Sequence, residues 1–312
     1  MSVLIDIIVP VFGVVGLGFF AARQGWISEA GADGLATFVF NFAIPAMLFR
    51  TMATRALPDP IAWEFLIAYF GGAYLVWALG MAVSRFGFGR DLATASIAGM
   101  SAGYANTVML GIPLVLMAYG DAGMLPVFLI IAFHSAQMFF VVTVLVEASR
   151  GQRGDVGKLI VNVLRGLVLN PVVMGLLAGV AWNIWGLGLP KPVDGLLQLL
   201  GKAAIPCSLF SLGASLARYR LMGAMAEASV SSALKLLIHP FAVYVLGAYV
   251  FALEPLWLNV AVILAATPVG INVYLFAMRY DTGTAPSATA ILLSTVLSVF
   301  SLAALLQMLG VR

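Results

Sequence analysis

Charge is what this chain has least of. It carries 16 Lys and Arg and 13 Asp and Glu, 9% of its 312 residues, against 62% that are apolar. A soluble domain is about 25% charged. This chain therefore cannot cover a surface that faces water, and most of its exterior must meet something else. That excludes a soluble enzyme and a disordered chain. A nucleic-acid partner is excluded too, because the basic residues are scattered through short loops and never cluster. One cysteine, Cys207, excludes a disulfide framework and a multi-thiolate metal site. Two histidines, His134 and His239, leave too little material for a His-based metal centre, so no metal and no cofactor is expected. No secretory leader is expected, since residues 1–6 hold Asp6 where such a leader is basic.

What is present is a series of long apolar runs. A bilayer core about 30 Å thick takes roughly 20 apolar residues per helix. Divided at charges and Gly/Pro clusters, the chain yields ten candidate spans: 3–22, 35–52, 61–83, 92–117, 124–146, 161–185, 196–217, 229–251, 256–278 and 288–309. The longest polar break, residues 147–158, is too short for a soluble domain, so 1–312 reads as a single membrane domain. The runs are too long for the strands of a β-barrel and lack their alternation. The expected class is an all-α polytopic membrane protein. Loops after odd-numbered spans carry Arg23, Arg85, Arg90, Arg150, Arg153, Lys158, Arg218, Arg220 and Arg279. Loops after even-numbered spans carry Arg50, Arg55 and Lys191, and the C-terminus adds Arg312. The excess places the odd loops in the cytoplasm and both termini outside.

The second half of the sequence echoes the first at an offset of 161. "FAIPAMLF" from Phe42 aligns with "AAIPCSLF" from Ala203, and the same offset pairs Gly18 with Gly179. Five spans per half (1–150 and 160–312) make the second half enter the bilayer upside down. Inverted repeats of this kind are common in secondary transporters.

The fourth and ninth spans are interrupted. The fourth holds "GMSAGYANTVMLGIP" (Gly99 to Pro113) and the ninth "ATPVGINVY" (Ala266 to Tyr274). Proline removes a backbone donor and glycine weakens a helix. Freed backbone groups are tolerated in a membrane only inside the bundle or beside a water-filled cavity, and half-helix ends there make a binding site. In the second and seventh spans, Asn41 precedes Pro45, and Ser208 and Ser211 follow Pro206. The serines either face the site or bond to their own helix. Among the ionisable groups at depth, Lys235 either reaches a cavity or snorkels to the interface. His134, near Ser135 and Gln137, is either a packing residue or a proton relay. No span centre holds Asp or Glu. That speaks against a cation/proton antiporter and against an intramembrane protease.

With these segments in view, the sequence resembles the auxin efflux carrier family, whose bacterial members include predicted malonate and malate permeases. The resemblance rests on "NFAIPAMLF" (41–49), "ANTVMLGIPL" (105–114), "AIPCSLFSLGASLA" (204–217) and "ATPVGINVYLFA" (266–277), and it covers essentially the whole chain. It implies ten helices in two inverted five-helix repeats, with helices 4 and 9 broken and crossing. That arrangement is shared with bile-acid symporters and sodium/proton antiporters. It implies a scaffold of helices 1, 2, 6 and 7, a transport unit of helices 3–5 and 8–10, elevator-type movement, an organic anion as substrate and a homodimer. By motif, Asn106, Thr107 and Pro113 in one broken helix, with Thr267, Pro268 and Asn272 in the other, would line the site. A sodium-coupled symporter and a non-translocating ligand sensor are the alternatives.

Overall fold

The computed structural model describes residues 3–54, 62–150, 161, 165, 169–219 and 223–311. Arg55, Arg153, Lys158, Arg220 and Arg312, which entered the topology count, lie outside the described residues. So does much of the sixth expected span. The elements are helical throughout. In chain order they are α1 (Val9–Arg23), α2 (Glu29–Phe38), α3 (Ile44–Thr54), α4 (Trp63–Ala82), α5 (Leu92–Gly103), α6 (Ile112–Tyr119) and α7 (Met124–Ser149). The second half supplies α8 (Pro171–Ile184), α9 (Lys191–Leu216), α10 (Met225–Ala233), α11 (His239–Val245), α12 (Pro255–Ala266), α13 (Asn272–Arg279) and α14 (Thr284–Met308).

Among the described residues, seven helical stretches are long and apolar enough to cross a bilayer. Pro171–Ile184 and Pro255–Ala266 are shorter apolar helices. Large apolar side chains such as Leu199, Phe300 and Val296 stand exposed on the outside, as a lipid-facing surface requires. The protein is an all-α, multi-pass membrane protein. The full-length stretches number fewer than the ten expected spans because the second piece of the interrupted fourth runs on with the fifth as Thr107–Ser149, the ninth is interrupted, and the sixth is described only in part, as Pro171–Ile184.

Four prolines shape the helices in the same way. π-helical turns at Val3–Ile8, Val39–Ala43, Thr107–Gly111 and Leu234–Ile238 each end two residues before a proline, at Pro10, Pro45, Pro113 and Pro240. A proline ring collides with the carbonyl four residues back and offers it no hydrogen. That carbonyl belongs to Asp6, Asn41, Met109 and Leu236 respectively. Each lies in the wider turn, which carries it off the ring.

Two reciprocal contacts hold the bundle where α1 packs along α9 and α3 along α8. A Cβ on Gly18 of α1 would stand 2.1 Å from the Phe210 carbonyl oxygen of α9. A Cβ on Gly179 of α8 would stand 2.6 Å from the Phe49 carbonyl oxygen of α3. Only glycine lets backbones approach this closely, as small residues do in membrane bundles. Arg50 and Asp194 add a two-pronged ion pair between α3 and α9, with Nε to Oδ1 at 2.6 Å.

Candidate functional site

The two interrupted segments meet. After α5 the chain runs extended through Tyr104 to Asn106, and after α12 through Thr267 to Val269. The two pieces pass antiparallel at Ala105 and Val269. The Asn106 N–H donates to the Pro268 carbonyl at 3.0 Å, and the Gly270 N–H donates to the Tyr104 carbonyl at 3.1 Å. This is a two-bond β-bridge in a bundle whose described residues otherwise form no strand.

Breaking two helices at depth frees polar backbone groups, and each freed group described here has found a partner. The Val269 N–H donates to Ser294 Oγ of α14 at 3.1 Å. The Ala105 carbonyl accepts from His134 Nε2 of α7 at 3.2 Å, and the Ala265 carbonyl accepts from Lys235 Nζ. The Asn106 carbonyl takes the Gly111 N–H, and Thr267 Oγ1 donates to the Leu264 carbonyl at 2.8 Å. This satisfaction is what allows irregular backbone in the interior.

The crossing opens onto a cavity of about 1010 Å³. One wall belongs to α2, α8 and α9 (Phe40 just after α2, Val172, Ser215), the other to α7, the crossing and α13 (Ser135, Phe139, Asn106, Asn272). At the crossing the lining polar groups are the Asn106 and Asn272 amides, the Thr107 hydroxyl and Tyr104. The Tyr104 hydroxyl takes a hydrogen bond from Asn272 Nδ2 at 2.8 Å and pairs with Ser135 Oγ at 2.9 Å. The lining acids, Asp33 exposed on α2 and Glu147 in the last turn of α7, mark the mouth, which Arg218 and Arg279 also line. Arg218 pairs with Asp33 at 2.8 Å. No carboxylate among the described residues lines the crossing itself.

The structure brings only part of the sequence-predicted set to this cavity. Asn106, Thr107 and Asn272 line it. Thr267 and Pro268 are buried and build the crossing instead, through a hydroxyl bond to the helix and a carbonyl acceptor. Pro113 is buried in the first turn of α6, away from the lining. Asn41 stands exposed on the outside of the bundle, as does Lys202 at the matching position of the other half. Ser208 is spent on its own helix, at the Ile205 carbonyl, and Ser211 is buried without a partner among the described residues. Gln137 accepts from the Tyr74 hydroxyl at 3.1 Å. Lys235 neither lines the cavity nor snorkels; it is wholly buried. His134 is equally enclosed.

Sequence reasoning missed the aromatic part of the wall. Tyr104 stacks on Phe139 with centroids 5.6 Å apart, Phe139 meets Phe276 at 4.7 Å, and Tyr219 meets Tyr274 edge-on at 5.0 Å. In a chain with 35 aromatic residues (20 Phe, 9 Tyr, 6 Trp), no spacing separates a cavity ring from a lipid-facing one. Tyr104 and Tyr274 alone carried a signal, since they lie inside the interrupted motifs.

Against known proteins, the profile of a family described as "Membrane transport protein" matches residues 3–306. A protein of Rhizobium meliloti (strain 1021) named "Putative malonate transporter" is 29% identical over 99% of this chain and 97% of its own length. An "Uncharacterized transporter" of Methanothermobacter thermautotrophicus is 26% identical, covering 95% of each chain. "Auxin efflux carrier component 8" of Arabidopsis thaliana is 25% identical, covering 88% of each.

Proposed function

The chain belongs to the membrane transport protein family, and on that premise we propose that it carries a small organic anion across the bilayer by elevator-type alternating access. Family membership makes it a multi-pass membrane transporter rather than an enzyme. The observation that carries the anion reading is the crossing of two interrupted helices at Ala105 and Val269, beside a cavity whose polar end is amide and hydroxyl without carboxylate.

A substrate carboxylate rests between the Asn106 and Asn272 amides, with the Thr107 hydroxyl beside it. It also faces the first turn of α13, whose N-terminal end carries partial positive charge. The rings above it leave room either for an apolar body, as in an auxin-like acid, or for the water around malonate or malate. The reciprocal Gly18–Phe210 and Gly179–Phe49 contacts support two inverted halves, 1–150 and 160–312, with ten spans. The division of the cavity walls supports a scaffold of spans 1, 2, 6 and 7 and a moving unit of spans 3–5 and 8–10. The mouth residues Glu147, Arg218 and Arg279 fall on the side that the positive-inside rule assigns to the cytoplasm. This conformation then opens inward in a bacterial cytoplasmic membrane, with both termini outside. A potential negative inside drives export by about 2.3 kcal/mol per net negative charge carried per 100 mV, so export needs no sodium gradient. The copies pair as a homodimer.

The test is flux in proteoliposomes with labelled malonate, malate and phenylacetate, each with and without sodium. Flux of at least one of them without sodium is the expected result. Flux that requires sodium assigns the symporter, and binding without flux assigns the sensor; either replaces this reading.

A further inference from the structure

A second polar cluster lies one layer behind the cavity wall, and the transport reading makes no use of it. Tyr104, which lines the cavity, stacks on His134 with ring centroids 4.6 Å apart. His134 meets the edge of Tyr69 at 5.8 Å, and Tyr69 meets His239 at 5.8 Å. Lys235 lies one helical turn before His239. Tyr69, His134, Lys235 and His239 are each 1% exposed or less.

Hydrogen-bond capacity in this cluster is largely unused. His134 Nε2 donates to the Ala105 carbonyl, which leaves Nδ1 with a lone pair in the neutral ring. That Nδ1, both ring nitrogens of His239 and the Tyr69 hydroxyl are buried without a partner among the described residues. Buried polar groups are ordinarily bonded, so four orphan atoms in one place call for an occupant. The elements packed around the cluster offer no anion. The segments α5, α12 and α14 carry no titratable side chain. Tyr74 on α4 is bonded to Gln137. The acids of α4, α7 and α10 (Glu64, Glu147 and Glu227) sit at helix ends, and Glu227 is held by Arg90. The cluster also grips both broken helices, since His134 holds the Ala105 carbonyl and Lys235 the Ala265 carbonyl.

We propose that Tyr69, His134, His239 and Lys235 form a proton-binding site coupled to the anion cavity, so that one proton enters the cluster when an organic anion binds at the crossing. The proton comes from cavity water past the Tyr104 ring; its acceptor is an orphan imidazole lone pair, and the Tyr69 hydroxyl, on the ring between the two imidazoles, supplies the hydrogen bond that holds it there. An anion at Asn106 and Asn272 lies close by in a poorly screened interior, and it favours the protonated cluster. By linkage, protonation tightens the anion to the same degree. The proton then returns to solvent when the anion leaves.

This inference rests on the transport reading, and the test separates the two. Titration calorimetry on the purified full-length protein uses malonate, malate and phenylacetate as probes. It is run in two buffers of different ionisation enthalpy at about pH 7.5, where the probes' own carboxylates are fully ionised. The wild type is expected to take up close to one proton per anion, and its affinity is expected to rise by as much as tenfold per unit fall in pH. Tyr69→Phe and His239→Gln are expected to bind the anion with little or no proton uptake and a flat pH profile. Tyr69→Phe keeps the ring and its packing, so it decides if His239→Gln fails to fold. Anion binding by the wild type without proton uptake, or undiminished uptake in Tyr69→Phe, overturns the proton site and leaves the transport reading standing. A folded wild type that binds none of the probes overturns both.

Discussion

Gly18 lies against the carbonyl of Phe210 so closely that a Cβ would come within 2.1 Å of its oxygen. The partner is backbone, not a side chain that can swing away, so any larger residue must push α1 off α9. Gly18→Ala is therefore expected to lower thermal stability, by about 1–3 kcal/mol, although alanine is the better helix former. Gly16→Ala, where nothing stands within 4 Å, is expected to hold or raise stability, by up to about 1 kcal/mol. Thermal unfolding of the detergent-purified variants compares them directly, and equal midpoints would refute the close contact.

At the crossing, charge matters more than size. Asn272→Asp is nearly isosteric, but it places a carboxylate where the substrate's own carboxylate is proposed to sit. Flux of every anionic probe should fall at least about tenfold, since like charges in a site cost more than a kilocalorie. Asn272→Ala should also abolish flux, because it removes the amide that holds the Tyr104 hydroxyl. Normal expression with wild-type flux in either variant would place the substrate elsewhere.

The Arg90–Glu227 pair should respond asymmetrically. Arg90 Nε bonds Glu227 Oε1 at 2.7 Å. The carboxylate is buried, while nearly half of the arginine side chain is exposed. Arg90→Ala strands a buried charge, whereas Glu227→Gln leaves a guanidinium that water can solvate. Arg90→Ala is expected to be the more destabilising, by on the order of 1 kcal/mol. A double-mutant cycle on unfolding midpoints would measure it.

Asp91 caps α5 by accepting the Thr94 N–H at 2.7 Å. Bonds from the Thr94 side chain and backbone hold its carboxyl below the usual range. A carboxyl depressed on folding stabilises above its unfolded pKa, about 3.9, and the benefit is lost as pH falls through the folded value. Asp91→Ala should cost about 1 kcal/mol near neutral pH and less as the pH falls below about 3.9 and the carboxyl takes up its proton, while Asp91→Ser should retain most of the cap. Unfolding midpoints across that range would show the two curves converging, and parallel curves would exclude the cap.

The helical, membrane-spanning character was legible because apolar run length follows directly from bilayer thickness. The interruptions at 104–106 and 267–271 were legible because Pro, Gly and Asn mark places where a helix cannot hydrogen-bond regularly. Which way each side chain points was not. In a helix apolar on every side, periodicity supplies no rotational phase. That is why Asn41, chosen by neighbourhood, and Pro113, carried over by motif, stand away from the cavity, while Phe139 and Tyr219 line it without any sequence mark. The wide turns ahead of Pro10, Pro45, Pro113 and Pro240 are a middle case. A proline marks each of them, but proline position does not suffice, since Pro206 sits inside α9 with no such turn.

The segment α12 has 12 residues, about 18 Å of helix against a hydrocarbon core of about 30 Å. From Val260 to Ala266 every residue is 1% exposed or less, so the end of this half-helix nearest the crossing presents no surface to lipid. A segment that is too short to span and is enclosed over its inner half gains little from the bilayer on its own. Its place is set by packing against α4, α11 and α14, so the crossing is a product of the assembled bundle and not of α12 alone.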